Sequence, residues 1–246
     1  MRIVMTGAAG AIGRLMIEEL TPSHELRLLD RSRMRDRRGV QGDLSIARPH
    51  RLGRLWRALG VPRWERMFEA ADAVLHLAGN AKPDAPFRSA LRDNVRATWN
   101  VLETAARFQV PRVVLASSAR GALGLEQEAL PSWSGGRIGA WATPRPRSAY
   151  GLSKAYGELA GRMFVDSGRL PSVVAVRIGA LGELRPETGP AMHRWVHPAD
   201  LRSVLRRCIE ASFQGFHVVY AVSAGQDGAF DLSHTQELLS WTGAKS

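Results

Sequence analysis

The sequence predicts an α/β fold with one doubly wound parallel sheet, and three observations lead to that prediction. Short apolar runs typical of buried strands alternate with helical patterns along most of the chain. A glycine-rich turn joins the first of these runs, residues 2–6, to the first helical pattern. Of the 246 residues 45% are hydrophobic, which is enough to bury one sizeable core, so residues 1–246 are interpreted as one domain.

The chain is strongly basic, with a formal net charge of +11 and a pI of about 11.1. Such a charge could indicate nucleic acid or an anionic membrane as a partner. Arg accounts for all but three of the 34 basic residues, however, and these cations are scattered among Asp and Glu rather than gathered in a tail. This distribution is typical of a solvated surface, so we expect no nucleic-acid partner.

Cysteine content and hydropathy indicate a soluble protein of a reducing compartment. The single cysteine, Cys208, excludes an internal disulfide and a Cys-rich metal site, and it is interpreted as a small buried apolar residue. The N-terminal residues turn into the glycine-rich loop before a secretory apolar segment can form, and no run of 18 apolar residues follows. We therefore expect a cytoplasmic protein with no membrane segment and no bound metal.

A strand, a glycine turn and a helix follow one another at the start of the chain. The apolar run at 2–6 leads into GAAGAIG at 7–13, after which the helical pattern continues. Gly7 permits a tight turn, Gly10 lets backbone amides approach a pyrophosphate, and Gly13 lets the helix pack closely on the strand. The position of this turn between a strand and a helix predicts a site for a dinucleotide cofactor.

The acidic residues after the second and third strands bear on the identity of that cofactor. Asp30 ends the second apolar run, where a carboxylate accepts both hydroxyls of an adenosine ribose and repels a 2′-phosphate, so NAD is expected. Arg31, Arg33 and Arg35 leave alternatives open, because they could receive the 2′-phosphate of NADP or simply form a solvated basic loop. Asp43 is placed to accept from the adenine amino group, and a plain turn is the alternative explanation.

Two stretches between the third and fifth strands have structural explanations. Residues 46–69 carry apolar side chains at helical spacing, which predicts two short helices that cover the sheet or a neighbouring subunit; binding to a membrane surface or to a partner is the alternative. His76 lies inside the fourth strand and is interpreted as a core histidine rather than a catalyst. The turn at 77–79 that follows is expected beside the central riboses of the cofactor.

Tyr150 and Lys154 lie four residues apart in a predicted helix and therefore share one face. A positive charge beside a phenol favours the phenolate, which makes Tyr150 usable as a proton shuttle. Ser117 and Ser118 close the fifth apolar run, and ligands bind at the carboxyl edge of the strands in an open parallel sheet. A hydroxyl there is placed for chemistry, and a serine pair that caps a turn is the alternative.

Seven short motifs in a fixed order together resemble the short-chain dehydrogenase/reductase family, in its extended or epimerase-like branch. They are TGAAGAIG at 6–13, Asp30, GDL at 42–44, HLAG at 76–79, Asn94, ASS at 116–118 and YGLSK at 150–154. Their order and spacing cover about two-thirds of the chain. The resemblance implies a Rossmann-type sheet that binds NAD or NADP.

The resemblance also implies roles for individual residues. Tyr150 would act as acid/base, Lys154 would bind the nicotinamide ribose and favour the phenolate, and Ser118 would orient the substrate oxygen. Asn94, the fourth catalytic residue of this set, would hold a helix kink and a proton-relay water. The expected cofactor-binding residues are Gly7, Gly10, Ala11, Ile12, Gly13, Asp30, Arg31, Asp43, Leu44, Leu77, Ala78, Gly79, Asn94, Ser117, Tyr150, Lys154 and Ile178.

Within that branch the frame is similar to that of the bacterial uronate dehydrogenases. The shared features include YGLSKAYGE at 150–158, VRIG at 176–179 and SAGQDGAFDLSH at 223–234. That group has Asn-His after its active-site serine and Ser after the VRIG strand, and these residues contact the sugar acid. This chain carries Ala119-Arg120 and Ala180 there instead.

These departures concern the substrate. Pro190 falls near the arginine that grips the carboxylate in that group, which leaves Arg185 or Arg194 as substitutes. Residues 179–246 are expected to form a small substrate-binding segment. Trp133 and Trp141 lie in an earlier loop, and each would either line the substrate pocket or anchor that loop. The expected substrate-binding residues are Ala81, Ser118, Ala119, Arg120 and Ala180.

The function expected from these observations is an NAD(P)-dependent oxidoreductase that transfers hydride at a hydroxyl or carbonyl of a small molecule. Its substrate is expected to be a less hydroxylated, more apolar alcohol or ketone than a sugar acid, although Arg120 keeps an acidic substrate of another shape open. A redox-neutral epimerase, dehydratase or cyclase is the alternative, and a non-catalytic cofactor-sensing protein is a third class. The expected partners are the small-molecule substrate and a second copy of the chain in a homodimer, with no membrane.

Overall fold

Seven parallel strands form the central sheet of the computed structural model, which describes residues 1–46, 63–119, 137–188, 191–223 and 229–243. They are β1 (Arg2–Thr6), β2 (Glu25–Asp30), β3 (Gly39–Gln41), β4 (Ala73–His76), β5 (Val113–Ser118), β6 (Ser172–Ile178) and β9 (Gly215–Ala221). Their order across the sheet is β3-β2-β1-β4-β5-β6-β9. This order is the predicted doubly wound parallel sheet.

Helices cover both faces of the sheet. Those described are α1 (Ala11–Leu20), α2 (Phe87–Ala90), α3 (Ala97–Arg107), α4 (Ala149–Asp166), α5 (Pro198–Glu210) and α6 (Ser233–Leu239). A π-helical segment, Leu91–Arg96, joins α2 to α3, and short 3-10 helices occur at Glu65–Phe68 and Met192–Arg194. Within the described ranges no helix combines the length and the apolar character needed to cross a membrane.

The strand order reverses between β1 and β4, which creates the switch point of the sheet. The two strands pair in parallel, with Thr6 opposite His76 at their carboxyl ends. A crevice opens at such a point because the connections from the two strands leave in opposite directions, and ligands bind there in open α/β sheets. The glycine turn after β1 and the turn after β4 therefore meet at one edge.

Apolar side chains of the strands alternate between the two faces and form a core layer on each. Ile3 and Met5 of β1 pack into the layer that includes Cys208, whereas Val4 packs into the opposite layer with Val101 and Phe164. Burial raises the pKa of the Cys208 thiol. The interpretation of Cys208 as a small buried apolar residue is confirmed.

The observed elements differ from the predicted ones in three places. Strand β5 continues to Ser118, so the serine pair forms the end of the strand rather than a turn after it. Of the helices predicted within 46–69, the described part holds the 3-10 helix Glu65–Phe68, and residues 47–62 lie outside the described residues. In the C-terminal segment β9 joins the main sheet beside β6, while β7 (Ala180–Leu181) and β8 (Trp195–Val196) pair with each other.

A buried ion pair joins α4 to the sheet. Arg177 of β6 is 1% exposed and donates from Nε and Nη2 to both carboxylate oxygens of Glu158 in α4, at 3.0 and 2.9 Å. Its other N–H groups donate to the carbonyl oxygens of Ala140 and Ala142 and to the Tyr220 hydroxyl. Burial alone would lower the pKa of Arg177, but the bonds and ion pair with Glu158 raise it above its ordinary value, so the guanidinium stays charged.

We expect Glu158→Gln to lower the free energy of unfolding by about 3–5 kcal/mol, because it leaves the buried charge of Arg177 without its counter-ion. Urea titration would measure this loss. The matched control is Glu103→Gln, which breaks the more exposed pair with Arg169 and should cost no more than about 1 kcal/mol. Equal losses in the two variants would contradict the structural role assigned to the buried pair.

Candidate active site

The glycine turn leaves no room for side chains at two of its glycines. Gly7 has a φ of +72°, and a Cβ there would lie 2.6 Å from the backbone nitrogen of Ala78. A Cβ on Gly13 would lie 2.4 Å from the carbonyl oxygen of Gly7, so only glycine allows α1 to pack this closely. Gly10 precedes α1, and no side chain caps the helix there. This open cradle fits a pyrophosphate, because free amides and the helix dipole favour an anion.

Two carboxylates lie near this turn. Asp30 accepts from the backbone N–H groups of Ala9 at 3.0 Å and Ser32 at 2.8 Å, and the first of these bonds holds the carboxylate against the glycine turn. Asp43 accepts from the backbone N–H and the hydroxyl of Ser45. A carboxylate has about four acceptor sites, so both side chains retain capacity for the hydroxyls and amino group of an adenosine.

One cleft at the switch point collects most of the residues predicted to bind the cofactor. It is lined by Gly7, Gly10, Asp30, Arg31, Ser32, Gly42, Asp43, Leu44, Ser45, Leu77, Ala78, Gly79, Asn80, Asp93 and Ala97. Six of these lining residues were not among the expected cofactor-binding residues: Ser32, Gly42, Ser45, Asn80, Asp93 and Ala97. For Asn80 and Asp93 the only signal was proximity to HLAG and to Asn94, because no spacing connects either position to the acidic end of β2. The predicted residues Ala11, Ile12 and Gly13 lie in the first turn of α1, directly after Gly10.

Arg31 and Asp93 join opposite walls of this cleft. Nη1 of Arg31 lies 3.1 Å from Oδ1 of Asp93. Asp93 also accepts from Arg92, and its Oδ2 accepts from the Ser89 hydroxyl at 3.1 Å. The hydrogen bond from Arg92 lowers the pKa of Asp93, and the Ser89 hydroxyl and the charge of Arg31 act in the same direction. Asp93 is therefore ionised at neutral pH.

Asn94 lies where the helix departs from α-helical geometry. It belongs to the π-helical segment Leu91–Arg96 and is 2% exposed. Its Nδ2 donates to the carbonyl oxygen of Asn80 at 3.1 Å and to Oγ of Ser153 at 2.7 Å, while its Oδ1 accepts from the Asn80 N–H at 2.6 Å. The predicted helix irregularity is present at this position. It ties a lining residue of the cleft to α4, directly beside Lys154.

Helix α4 begins so that Tyr150 stands in its first turn. Ser148 caps the helix, and its hydroxyl accepts from the Gly151 N–H at 3.0 Å. Such a cap fixes where a helix starts, because it satisfies a backbone donor that has no partner within the helix. The first turn of an 18-residue helix also favours negative charge close to it.

Lys154 places this helix next to the end of β5. Its Nζ donates to the carbonyl oxygen of Ala116 at 2.8 Å and lies 5.8 Å from the centre of the Tyr150 ring. Ala116 lies two residues before Ser118 in the same strand. Ile178 pairs with Ser118 in the register of β5 and β6. The structure therefore brings Ser118, Tyr150, Lys154 and Asn94 to one edge of the sheet.

Ser117 has a structural partner. Its hydroxyl donates to Oε1 of Glu158 at 2.6 Å and so belongs to the network around the buried ion pair. Successive residues of a strand point to opposite faces, which separates this side chain from that of Ser118. Any contact of Ser117 with a cofactor would come from its backbone.

His76 is a core residue. Its Nδ1 lies 2.7 Å from the Thr6 hydroxyl and its Nε2 lies 3.1 Å from the Thr98 hydroxyl. Burial, with a smaller contribution from the charge of Lys154, lowers its pKa to about 3, so the ring is neutral. Both ring nitrogens are satisfied within the core, which supports the structural interpretation.

The residues predicted to bind substrate are spread out. Ala119 follows Ser118 but is fully buried in an apolar cluster with Tyr220 and Phe230, so the structure does not bring its side chain to a cleft. Ala81 is exposed beyond the turn after β4. Ala180 is half-buried and pairs with Trp195. Their roles at a substrate site stay predictions.

Other parts of the predicted substrate region have structural explanations or fall outside the described ranges. A Cβ on Gly179, which ends the VRIG motif, would lie only 2.0 Å from the carbonyl oxygen of Arg194, so glycine is required there. Trp141 is 54% exposed and contacts His234 and Arg162, which supports the loop-anchor explanation. Three residues considered for the substrate region lie outside the described ranges, namely Arg120, Trp133 and Pro190.

Comparison with known proteins decides the family. A model of the NAD-dependent epimerase/dehydratase family matches residues 3–207. The chain belongs to this family. The L-arabinose 1-dehydrogenase (NAD(P)(+)) of Haloferax volcanii is 30% identical to it, over 98% of this chain and 95% of that protein. The uronate dehydrogenase of Pseudomonas syringae pv. tomato is 31% identical, over 90% of this chain and 74% of that protein.

A solved structure of the same family shares the fold. It is a mutant uronate dehydrogenase from Agrobacterium tumefaciens complexed with NAD, with a TM-score of 0.81 and 30% identity, covering 99% of this chain and 84% of that chain. These findings confirm the predicted fold class and the likeness to the uronate dehydrogenase frame. They also confirm the prediction of an NAD(P)-dependent enzyme of the dehydrogenase/reductase type, in a family described as NAD-dependent.

We expect Gly10→Arg to abolish measurable NAD binding, because the side chain would fill the cradle that the pyrophosphate needs. Isothermal titration calorimetry with NAD would test this. Gly168→Arg is the matched control, since a Cβ there meets nothing within 4 Å; its own positive φ could lower stability but not NAD affinity. NAD affinity that is unchanged in Gly10→Arg would refute the site.

Proposed function

We propose that this family member oxidises a neutral, ring-shaped alcohol or hemiacetal of about monosaccharide size, with NAD as hydride acceptor. The observation that carries the proposal is the bond from Lys154 to Ala116, which sets Tyr150 beside the Ser118 end of β5. Relatives named for L-arabinose and for uronates support a small hydroxylated substrate. Residues 179–246 are proposed to supply the substrate-binding segment.

A neutral substrate is favoured over a sugar acid. Each buried polar group of a substrate that lacks a partner costs about 1–3 kcal/mol. Ala180 has no side-chain donor for a carboxylate, and Ala119 supplies none because its side chain is buried in an apolar cluster. A substrate with fewer charged groups suits such a site better than glucuronate or galacturonate does.

Each catalytic side chain has a distinct task in the proposed reaction. Bound NAD would accept the hydride from the substrate carbon. Tyr150 as phenolate takes the proton from the substrate hydroxyl while the carbonyl forms, and Lys154 stabilises that phenolate. Ser118 donates a hydrogen bond to the substrate oxygen and orients it. Asn94 holds α4 through Ser153, which keeps Tyr150 and Lys154 in place.

A redox-neutral reaction is the second candidate, because the family's own description includes epimerases and dehydratases. In that case the hydride would return to the substrate, and nicotinamide absorbance would show no net change.

We also propose a cytoplasmic location for the protein. Its single cysteine, Cys208, is a free thiol, and reducing compartments keep thiols unpaired.

Tyr150→Phe should lower turnover about 10²- to 10⁴-fold and leave NAD affinity unchanged, because it removes the acid/base group alone. Nicotinamide absorbance would be followed with a substrate panel of L-arabinose, glucuronate, galacturonate and neutral cyclic alcohols. Tyr156→Phe, in the same helix, is the control and should keep normal turnover. Normal turnover in Tyr150→Phe would refute its role, and efficient oxidation of glucuronate would refute the neutral substrate.

Helix α4 also presents an apolar stripe to solvent. Leu152, Leu159 and Met163 are each at least 42% exposed and, with the half-buried Tyr156, follow the spacing of one helix face. The neighbouring α2 adds the exposed Phe87. Contiguous apolar surface of this kind marks interaction sites, and two copies related by a twofold axis would cover each other's stripe. We propose that this face forms a homodimer.

Leu159→Glu should convert a dimer into the 27.0 kDa monomer, because it places a charge in the middle of the stripe. Light scattering coupled to size-exclusion chromatography would report the mass. Leu184→Glu is the matched control, since Leu184 is 86% exposed and lies outside the stripe. A monomeric wild-type protein at micromolar concentration would overturn the proposed dimer.

A further inference from the structure

The Arg31–Asp93 pair spans the cofactor cleft from wall to wall. Arg31 follows Asp30 at the end of β2, whereas Asp93 belongs to the π-helical segment on the other side. The Arg31 side chain is 62% exposed and the Asp93 side chain 11%, so the pair stands at the solvent side of the cleft. Both residues line the cleft that holds the glycine turn.

Asp93 is held in place by its own helix. Arg92 donates from Nε to Oδ1 at 2.7 Å and from Nη2 to Oδ2 at 3.0 Å, and the Ser89 hydroxyl donates to Oδ2. These bonds fix the carboxylate without any contribution from Arg31. Arg31 has a long and exposed side chain, and it reaches a carboxylate that its neighbours already hold in place.

The position of Arg31 matters for the choice between two dinucleotides. NADP differs from NAD by a phosphate on the 2′-hydroxyl of the adenosine ribose, which is the hydroxyl that an acid at the end of β2 accepts. A guanidinium beside that ribose is the group best suited to a phosphate, because it matches the oxygens with two parallel N–H bonds. Arg33 and Arg35 are exposed and are not among the described lining residues of the cleft.

We propose that Asp93 is a specificity-determining residue, which maintains the preference for NAD by holding Arg31 away from the 2′ position of the adenosine ribose. With the pair formed, a 2′-phosphate meets the carboxylates of Asp30 and Asp93 and an arginine whose charge is already neutralised. Without Asp93, Arg31 becomes available to the phosphate. The proposal rests on the dinucleotide site at the glycine turn and concerns cofactor choice, not the substrate.

The test is calorimetric titration of NAD and of NADP, separately, into the wild-type protein and Asp93→Asn. We expect NADP to bind about 10-fold more tightly to the variant, the order expected of one charge-assisted hydrogen bond to a phosphate. The affinity for NAD should change less than about threefold, because Asp30 and the glycine turn are untouched. Binding is measured without substrate, so the result does not depend on the proposed reaction.

A double-mutant cycle assigns the effect to Arg31. In the wild-type background Arg31→Gln should leave NADP affinity nearly unchanged, because the guanidinium is already occupied by Asp93. In the Asp93→Asn background the same change should abolish the gain in NADP affinity. A gain that survives Arg31→Gln would show that Arg31 is not the group released, and it would overturn the proposal.

Three further variants separate the pair from general effects of charge. Asp36→Asn removes a carboxylate from the loop after β2, which also carries Arg31. Asp36 pairs with Arg38 and is not among the residues that line the cleft, so the ratio of NADP affinity to NAD affinity should stay as in the wild type. Arg92→Gln keeps the Arg31–Asp93 contact and should also keep the ratio. Asp93→Glu retains the charge and should restore the preference for NAD.

The possible failures are distinguishable. If Asp93→Asn binds NAD as the wild type does and melts at the same temperature, but shows no gain for NADP, the proposal is wrong and the dinucleotide site stands. If Asp36→Asn raises NADP affinity as much as Asp93→Asn does, the effect is one of net charge and the proposal is also wrong. If the wild type binds neither dinucleotide, the site itself fails and the proposal with it.

Discussion

The buried ion pair between Arg177 and Glu158 is the interaction on which the position of α4, and with it that of Tyr150 and Lys154, depends. It joins β6 to α4, and its remaining hydrogen bonds reach Ala140 and Ala142 in the loop before α4 and Tyr220 in β9. Buried charges are costly unless every donor and acceptor is satisfied. Here five guanidinium N–H bonds have partners, so α4 can be held in one position on the sheet.

That position matters because the two halves of the proposed active site come from different parts of the chain. The cleft is built by the turns after β1 and β4, whereas Tyr150 and Lys154 lie on α4. Asn94 connects the two, since it contacts the cleft residue Asn80 and, through Ser153, helix α4. In the proposed reaction a change in the helix angle would therefore separate the hydride acceptor from the proton acceptor, and reaction rates are sensitive to displacements of about 1 Å.

Sequence reasoning agrees with the structure where a local feature depends on neighbouring residues. The turn around Gly7 needs glycine because of local backbone geometry, and Tyr150 and Lys154 share a helix face by spacing alone. It did not identify the partner of Ser117. Side chains alternate between the two faces along β5, and this alternation turns the Ser117 hydroxyl toward Glu158. Nor did it find the contact between Arg31 and Asp93, because those positions are 62 residues apart and no periodicity connects them.

The sequence by itself determined the strand, turn and helix order, the glycine turn before α1 and the placement of Tyr150 and Lys154 on one helix face, because each is encoded within one turn or one helix. The tertiary structure decided which side chains meet across the sheet. It assigned Ser117 to a structural network and paired Arg31 with Asp93 across the cleft. It also packed Ala119 into an apolar cluster. These outcomes depend on strand order and on the burial of charge, and both arise only when distant segments pack together.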